Sequence, residues 1–141
     1  MDDDDYYPPD RVAACVAAFA AHPAIDLAGC SAMLLYYPSL DAIYSTPFLG
    51  STHATNGTMA WRKRYAAVHR YDEFCTHAEE ASFLENYRHP MIQLDPRKTI
   101  LVMCHTDNTV DKTKMRKISS PLRLEDMVTD PMLRAFYRQV K

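Results

Sequence analysis

The sequence predicts an α/β fold, a mixed sheet flanked by helices. Three observations carry that expectation. Short apolar runs of strand length alternate with helix-like stretches along the chain. A proline-led, alanine-rich helical stretch leads into a buried-type apolar run at residues 25–36, the order of an α/β unit. The chain has 141 residues and a hydrophobic fraction of 48%, which predicts one packed domain and excludes a disordered chain.

The chain opens on Met1-Asp2-Asp3-Asp4-Asp5-Tyr6-Tyr7. In an extended segment Asp2 and Asp4 project on one side, because side chains alternate along a strand. Two neighbouring carboxylates repel unless a cation lies between them, and hard divalent ions take oxygen ligands of this kind. On these residues alone the run reads equally as a solvated acidic tail or as a cation site.

Pro8-Pro9-Asp10 starts a helix, since proline is tolerated in a first turn and an acid there complements the helix dipole. Val12, Cys15, Val16 and Phe19 follow at helical spacing, and His22-Pro23 ends the run. A buried strand is predicted over Ile25 to Tyr36 and a short one near Ala42–Ser45. Residues 51–56 read as a loop. Gly57-Thr58-Met59-Ala60-Trp61-Arg62 reads as a short strand opened by glycine, and Arg64 to Arg70 as a brief helix. Tyr71-Asp72-Glu73 is a turn, with helix again over about 77–87. Met91 to Leu94 and Thr99 to Cys104 are strands separated by Asp95-Pro96. His105 to Thr109 is a polar loop at a strand's end, and 111–117 continues it with basic residues. Pro131 to Val140 is a terminal helix with Met132, Leu133, Phe136 and Val140 on one stripe.

Charge is unevenly placed around a net of -2. Residues 1–10 hold five Asp and no basic residue, whereas 97–141 hold ten Lys or Arg against five Asp or Glu. There is no global basic signal for nucleic acid. An acidic cation site and a basic segment in one domain suit a ligand bearing both metal and phosphate. Cys15, Cys30, Cys75 and Cys104 are widely spaced, form no C-x-x-C and lie in or beside apolar stretches, which predicts packed, reduced thiols in a cytoplasmic setting. No apolar run is long enough to span a bilayer. With Gly29, Gly50 and Gly57 the only glycines, a glycine-rich phosphate loop is excluded.

The order Asp-x-Asp-Asp, then Pro and a helix, then Gly57-Thr58-Met59-Ala60-Trp61-Arg62, then Tyr71-Asp72-Glu73, then Ala78-Glu79-Glu80 resembles a GT-A glycosyltransferase. It is most similar to the broad family 2 type and its relatives in large DNA viruses and algae. The resemblance runs to about Lys117. It corresponds to the C-terminal half of the family's domain, starting at the D-x-D motif, which implies an upstream segment or a partner chain supplying the other half. The expected organisation is one partial domain over residues 1–141, with 118–141 as a helical extension.

The resemblance implies a sugar moved from a nucleotide-sugar donor, UDP-linked above all, to the hydroxyl of a glycan or other acceptor. It implies Mn²⁺ or Mg²⁺ as cofactor and inversion as the expected stereochemistry. Asp2 and Asp4 match the metal-binding motif, and His105 matches a late histidine that completes the metal shell or touches the diphosphate. Read without the resemblance, His105 is equally a plain loop residue. Neutral imidazole is a reasonable ligand for Mn²⁺ and a poor one for Mg²⁺. Glu80 matches the general base, preceded by Glu79; Glu80 stands where Asp is commoner, one methylene longer. Gly57, Thr58 and Trp61 fall on the segment lining the donor-sugar and acceptor side; Trp61 stacks on a sugar or packs in the core. Arg62 pairs with a phosphate or with Asp72. Lys112, Lys114 and Arg116 are phosphate clamps in this reading and a solvated charge run otherwise. Two other classes stay open: a non-catalytic GT-A portion acting as a binding or assembly module, and a metal-dependent phosphotransferase or hydrolase using the same carboxylates.

Overall fold

The computed structural model describes residues 4–74, 79–105 and 112–140. Helix α1 spans Arg11–Ala21 and is followed by strands β1 (Leu27–Gly29), β2 (Leu34–Tyr37) and β3 (Ala42–Ser45). Strand β4 (Ala60–Trp61) runs into α2 (Lys63–Val68). Next come the single-turn α3 (Glu80–Phe83), β5 (Met91–Gln93) and β6 (Leu101–Met103), then β7 (Ile118–Ser119), α4 (Leu124–Met127) and α5 (Pro131–Gln139). The strands form two mixed sheets, ordered β4-β1-β5 and β6-β2-β3-β7, with helices beside them.

The single strand expected over 25–36 is two strands in two sheets. β1 runs parallel to β5 and β2 runs parallel to β6, so residues 27–37 track residues 91–103 with a break between. The break has a local cause on both sides. Pro96 has no N–H to give a ladder, and it opens a 3-10 turn capped by the Asp95 side chain. Opposite it, the Cys30 N–H donates to Thr58 Oγ1 at 2.9 Å and the Ser31 N–H to Gln93 Oε1 at 3.0 Å. Side chains thus satisfy the backbone groups that the ladder releases.

The second sheet is buried on both faces, which is why β2 and β6 read as unbroken apolar runs. Leu34, Tyr36, Ile43, Leu101 and Met103 face Leu124, Met127, Val128 and Tyr137. Leu35, Tyr37, Ile100, Val102 and Cys104 pack on the opposite face. Around the first sheet, Leu27, Met59, Tyr65, Phe83, Leu84 and Met91 form a separate cluster. Arg11 links α1 to both regions, donating to the Thr99 carbonyl at 2.5 Å and to the Gly57 carbonyl at 3.0 Å.

Gly29 ends the central strand of the first sheet where backbone and neighbour nearly touch. A Cβ there would lie 2.6 Å from Ala54 Cβ, an atom fixed directly to the backbone. Gly29→Ala is therefore expected to lower stability by about 1–3 kcal/mol, the usual cost of overpacking. A urea midpoint unchanged from wild type would show that the Ala54 loop yields freely.

Several expected elements are shorter or differently faced. Of the helix expected over 77–87, residues 77 and 78 lie outside the described residues; from 79 on it is Glu80–Phe83, ended because Glu85, Asn86 and Tyr87 all take positive φ (48°, 57° and 61°) and turn the chain back. Asn86 N–H donates to the Ala81 carbonyl and Glu85 N–H to the Ser82 carbonyl, closing the helix end in a Schellman-like pattern. Residues 118–141 are not simply a helical extension: β7 pairs with β3, and α4 and α5 contribute to the main core. The stripe Met132, Leu133, Phe136 faces outward, at 80%, 39% and 61% exposure, and Tyr137 is the residue α5 buries. Periodicity found the stripe, but the sheet selected the amphipathic tyrosine, whose ring stands edge-on to Tyr6 at 6.2 Å. On α1 only Cys15 of the apolar stripe is buried, while Val12 and Val16 are exposed. Among the described residues no helix is long and apolar enough to cross a membrane.

Candidate functional site

The end of the acidic run is tied to β6. Tyr6 and Leu101 exchange both backbone hydrogen bonds, at 3.0 and 2.9 Å, as an antiparallel bridge. Asp5 Oδ1 accepts the Met103 N–H at 2.8 Å. These contacts bring Asp4 against the residue that follows β6: Asp4 Oδ2 lies 3.1 Å from His105 Nε2. The two residues are 101 positions apart in the chain. Asp2 and Asp3 lie outside the described residues, and the expected Asp2–Asp4 pairing with them.

Cations border the same spot. Lys112 Nζ lies 3.5 Å from the Met103 carbonyl, and the Lys112 carbonyl accepts the Tyr37 hydroxyl at 2.6 Å. The Arg116 guanidinium stands over the Tyr37 ring at 5.3 Å. Lys114 is exposed on the same 3-10 turn, Lys112–Met115. Carboxylates, an imidazole and cations therefore gather beyond the carboxyl ends of the parallel pair β2 and β6, the end where α/β sheets place ligands. Cys104, between them, is pushed up to about 11 chiefly by burial, so it is a packed thiol and not a nucleophile at neutral pH. Cys15 and Cys30 are likewise buried free thiols raised by burial; Cys75 lies outside the described residues.

A cavity of about 870 Å³ opens beside α1 and is lined by Tyr7, Cys15, Phe19, Gly57, Trp61 and Glu79, among others. Tyr7 is three residues past Asp4, so the two Cα atoms are at most about 11 Å apart. Glu79 Oε1 accepts from Asn56 Nδ2 at 2.9 Å, and Asn56 Oδ1 accepts from the Tyr71 hydroxyl at 2.7 Å. Tyr71 stacks flat on Phe83 at 4.5 Å, with Trp61 edge-on to both. Burial, then the charges of Glu79 and Glu80, raises the Tyr71 hydroxyl to about 12 and keeps it a hydrogen-bond donor. This Tyr71–Asn56–Glu79 chain is not legible in the sequence, where Asn56 is one more polar loop residue.

The remaining expected site residues separate. Glu80, one position on, starts α3, and its charge acts on His53, Tyr71 and Tyr87; Glu79 is the member of the pair that lines the cavity. Thr58 is fully buried, and its hydroxyl bonds the Cys30 and Thr55 carbonyls, so it faces the core and not a sugar. Arg62 does not pair with Asp72. Its guanidinium donates to the Phe19 and Ile25 carbonyls at 2.6 and 3.1 Å, with Asp26 at 3.8 Å, and this pins the end of α1. His77 lies outside the described residues.

His53 packs inward. Its Nδ1 is 3.2 Å from Ser31 Oγ and its ring stacks on Tyr87 at 4.9 Å. Burial holds it below the ordinary histidine value, against an opposing pull from Glu80. Between the folded value and about 6.5 the unfolded chain binds more protons. The contribution is thus present above about pH 6.5 and lost as pH falls through the folded value. Between about pH 7.5 and pH 5, wild type is expected to lose more thermal stability than His53→Gln. Parallel melting curves across that range would refute the assignment.

Comparison with known protein families, with curated proteins and with solved structures found no match.

Proposed function

We propose that this chain is the metal-dependent catalytic portion of a GT-A-type glycosyltransferase, transferring a sugar from a nucleotide diphosphate to an acceptor hydroxyl. The observation that carries the reading is the meeting of Asp4 with His105. Motif order suggested both residues, and no local sequence rule makes them neighbours. Their donor set fits Mn²⁺. A carboxylate oxygen and an imidazole nitrogen 3.1 Å apart match the separation of roughly 3.0 Å between adjacent ligands on an octahedral ion with bonds near 2.1 Å.

A bound divalent ion would supply neutralisation of the charge that grows on the diphosphate leaving group. This chain's own residues do the rest. Asp4 and His105 hold the ion, and Asp5 fixes the run by accepting from Met103. Lys112, Lys114 and Arg116 contribute positive charge toward the phosphates. Gly57 and Trp61 line the cavity in which the sugar and acceptor would lie. The Glu79-Glu80 pair takes the acceptor proton, with Glu79 on the cavity wall. Such general-base assistance is worth about 10²–10⁴-fold.

Calorimetric titration of the chain with UDP, with and without Mn²⁺, tests the reading. Mn²⁺-dependent binding is expected; equal binding with and without the ion overturns it. The second reading, a non-catalytic binding module, is favoured by one feature, the exposed Val12 and Val16 on the rim of the cavity. It predicts no Mn²⁺-dependent UDP binding.

A further inference from the structure

We infer that His69, Glu85 and His89 form a second divalent-metal site, suited to Zn²⁺ and separate from the Asp4–His105 cluster. His69 caps the end of α2, while Glu85 and His89 come from the left-handed turn after α3. One ligand atom from each lies within 4.8 Å of the others. His69 Nε2 is 3.4 Å from Glu85 Oε1, and His89 Nε2 is 3.1 Å from Glu85 Oε2. Two ligands on a tetrahedral zinc with bonds of 2.0–2.1 Å stand roughly 3.3 Å apart, and both separations fit that spacing, with Glu85 turning a different oxygen to each ring.

Hydrogen bonding and packing fix the His69 ring. His69 Nδ1 lies 2.9 Å from the Tyr65 carbonyl, which only accepts, so Nδ1 carries the proton and donates. In the neutral ring Nε2 then presents a lone pair to the Glu85 carboxylate, acceptor against acceptor. That lone pair and a carboxylate oxygen are the two atoms a zinc ion would take. The Nδ1–H to carbonyl contact is also how metal-bound histidines are oriented in general. The ring is held further by a flat stack on Tyr65, 3.8 Å between centroids and 8° between planes, and His89 stands edge-on to both rings. Imidazole and carboxylate together suit zinc more than magnesium or calcium. Three protein ligands leave a coordination position for water, on the side where Glu85 is about half exposed. The ion would tie α2 to the segment that begins with Glu79 and Glu80.

The test is calorimetric titration of chelator-treated protein with Zn²⁺ near pH 7.5, joined by melting curves. To exclude the other cluster, the titration is run in an Asp4→Ala/His105→Ala background. One equivalent of zinc is expected there, with a melting temperature raised by several degrees at saturation. His89→Asn and Glu85→Gln are each expected to weaken that binding at least about tenfold and to abolish the thermal shift. His89→Asn keeps both members of the His69–Tyr65 stack and decides the matter even where a His69 variant fails to fold. Zinc binding that survives both substitutions overturns the assignment, as does no zinc binding at all.

Discussion

Asp4→Ala is expected to weaken Mn²⁺-dependent UDP binding by at least about 100-fold while the protein stays folded. The size follows from what is removed. Altering a residue that merely supports a metal ligand costs about 10–100-fold in affinity, and Asp4 is assigned as a ligand itself. Stability is spared because Asp4 is exposed, and the neighbouring Asp5 and Tyr6 anchor the run to β6. His105→Ala is expected to act in the same direction, since it removes the other donor of the pair. Circular dichroism checks the fold, and calorimetry with and without Mn²⁺ reads the affinity. Asp4→Ala binding UDP and Mn²⁺ as wild type does would sink the glycosyltransferase reading, because that reading rests on the Asp4–His105 pair.

Leu101→Ala should produce the largest loss of stability, about 2–5 kcal/mol. Leu101 is completely buried among Leu34, Tyr36, Ile43 and the residues of α4 and α5. Its surroundings are a sheet on one side and two helices on the other, a site that cannot collapse to refill the space. Such a loss is a large share of the roughly 5–15 kcal/mol that holds an ordinary domain together. The effect should also reach the candidate metal cluster, because both backbone groups of Leu101 pair with Tyr6. Urea unfolding measures the change. A loss below about 1 kcal/mol would mean that the core around β6 repacks and that the acidic run is not held by it.

The elements beneath both predictions are largely legible in the sequence. The alternation of strand and helix, the Pro-Pro start of α1, the Pro131 start of α5 and the short strands near 42–45, 91–94 and 99–104 are local signals, and each has a counterpart in the fold. Asp130, which no such signal marked, caps α5 by accepting from Met132 and Leu133. Facing is harder to read. An apolar stripe states that a helix has a greasy side, not that the sheet will cover it; hence Val12, Val16 and Met132 are exposed where the stripe predicts burial.

The candidate sites divide along the same line. Asp4 and His105 are nameable because a motif order marks them, and the fold brings them to 3.1 Å. Arg62 and Thr58 are nameable too, yet their polar atoms serve the backbone around α1 and β1. The Tyr71–Asn56–Glu79 chain and the His69–Glu85–His89 cluster carry no motif. Glu85 and His89 stand four apart, as a helical pair would, but they lie where the helix has already ended.

The sequence by itself determined the α/β class, the placement of most elements and the chemical types available at the acidic run and its basic counterpart. Local propensity, hydrophobic period and capping act over a few residues, so they are written in neighbouring positions. Only the tertiary structure decided that residues 25–36 divide between two sheets, that Glu79 reaches the cavity wall, and that His69 meets Glu85 and His89. Those outcomes depend on contacts between distant segments, where the burial of one side chain and the hydrogen bonding of one backbone group choose among arrangements that local rules leave equal.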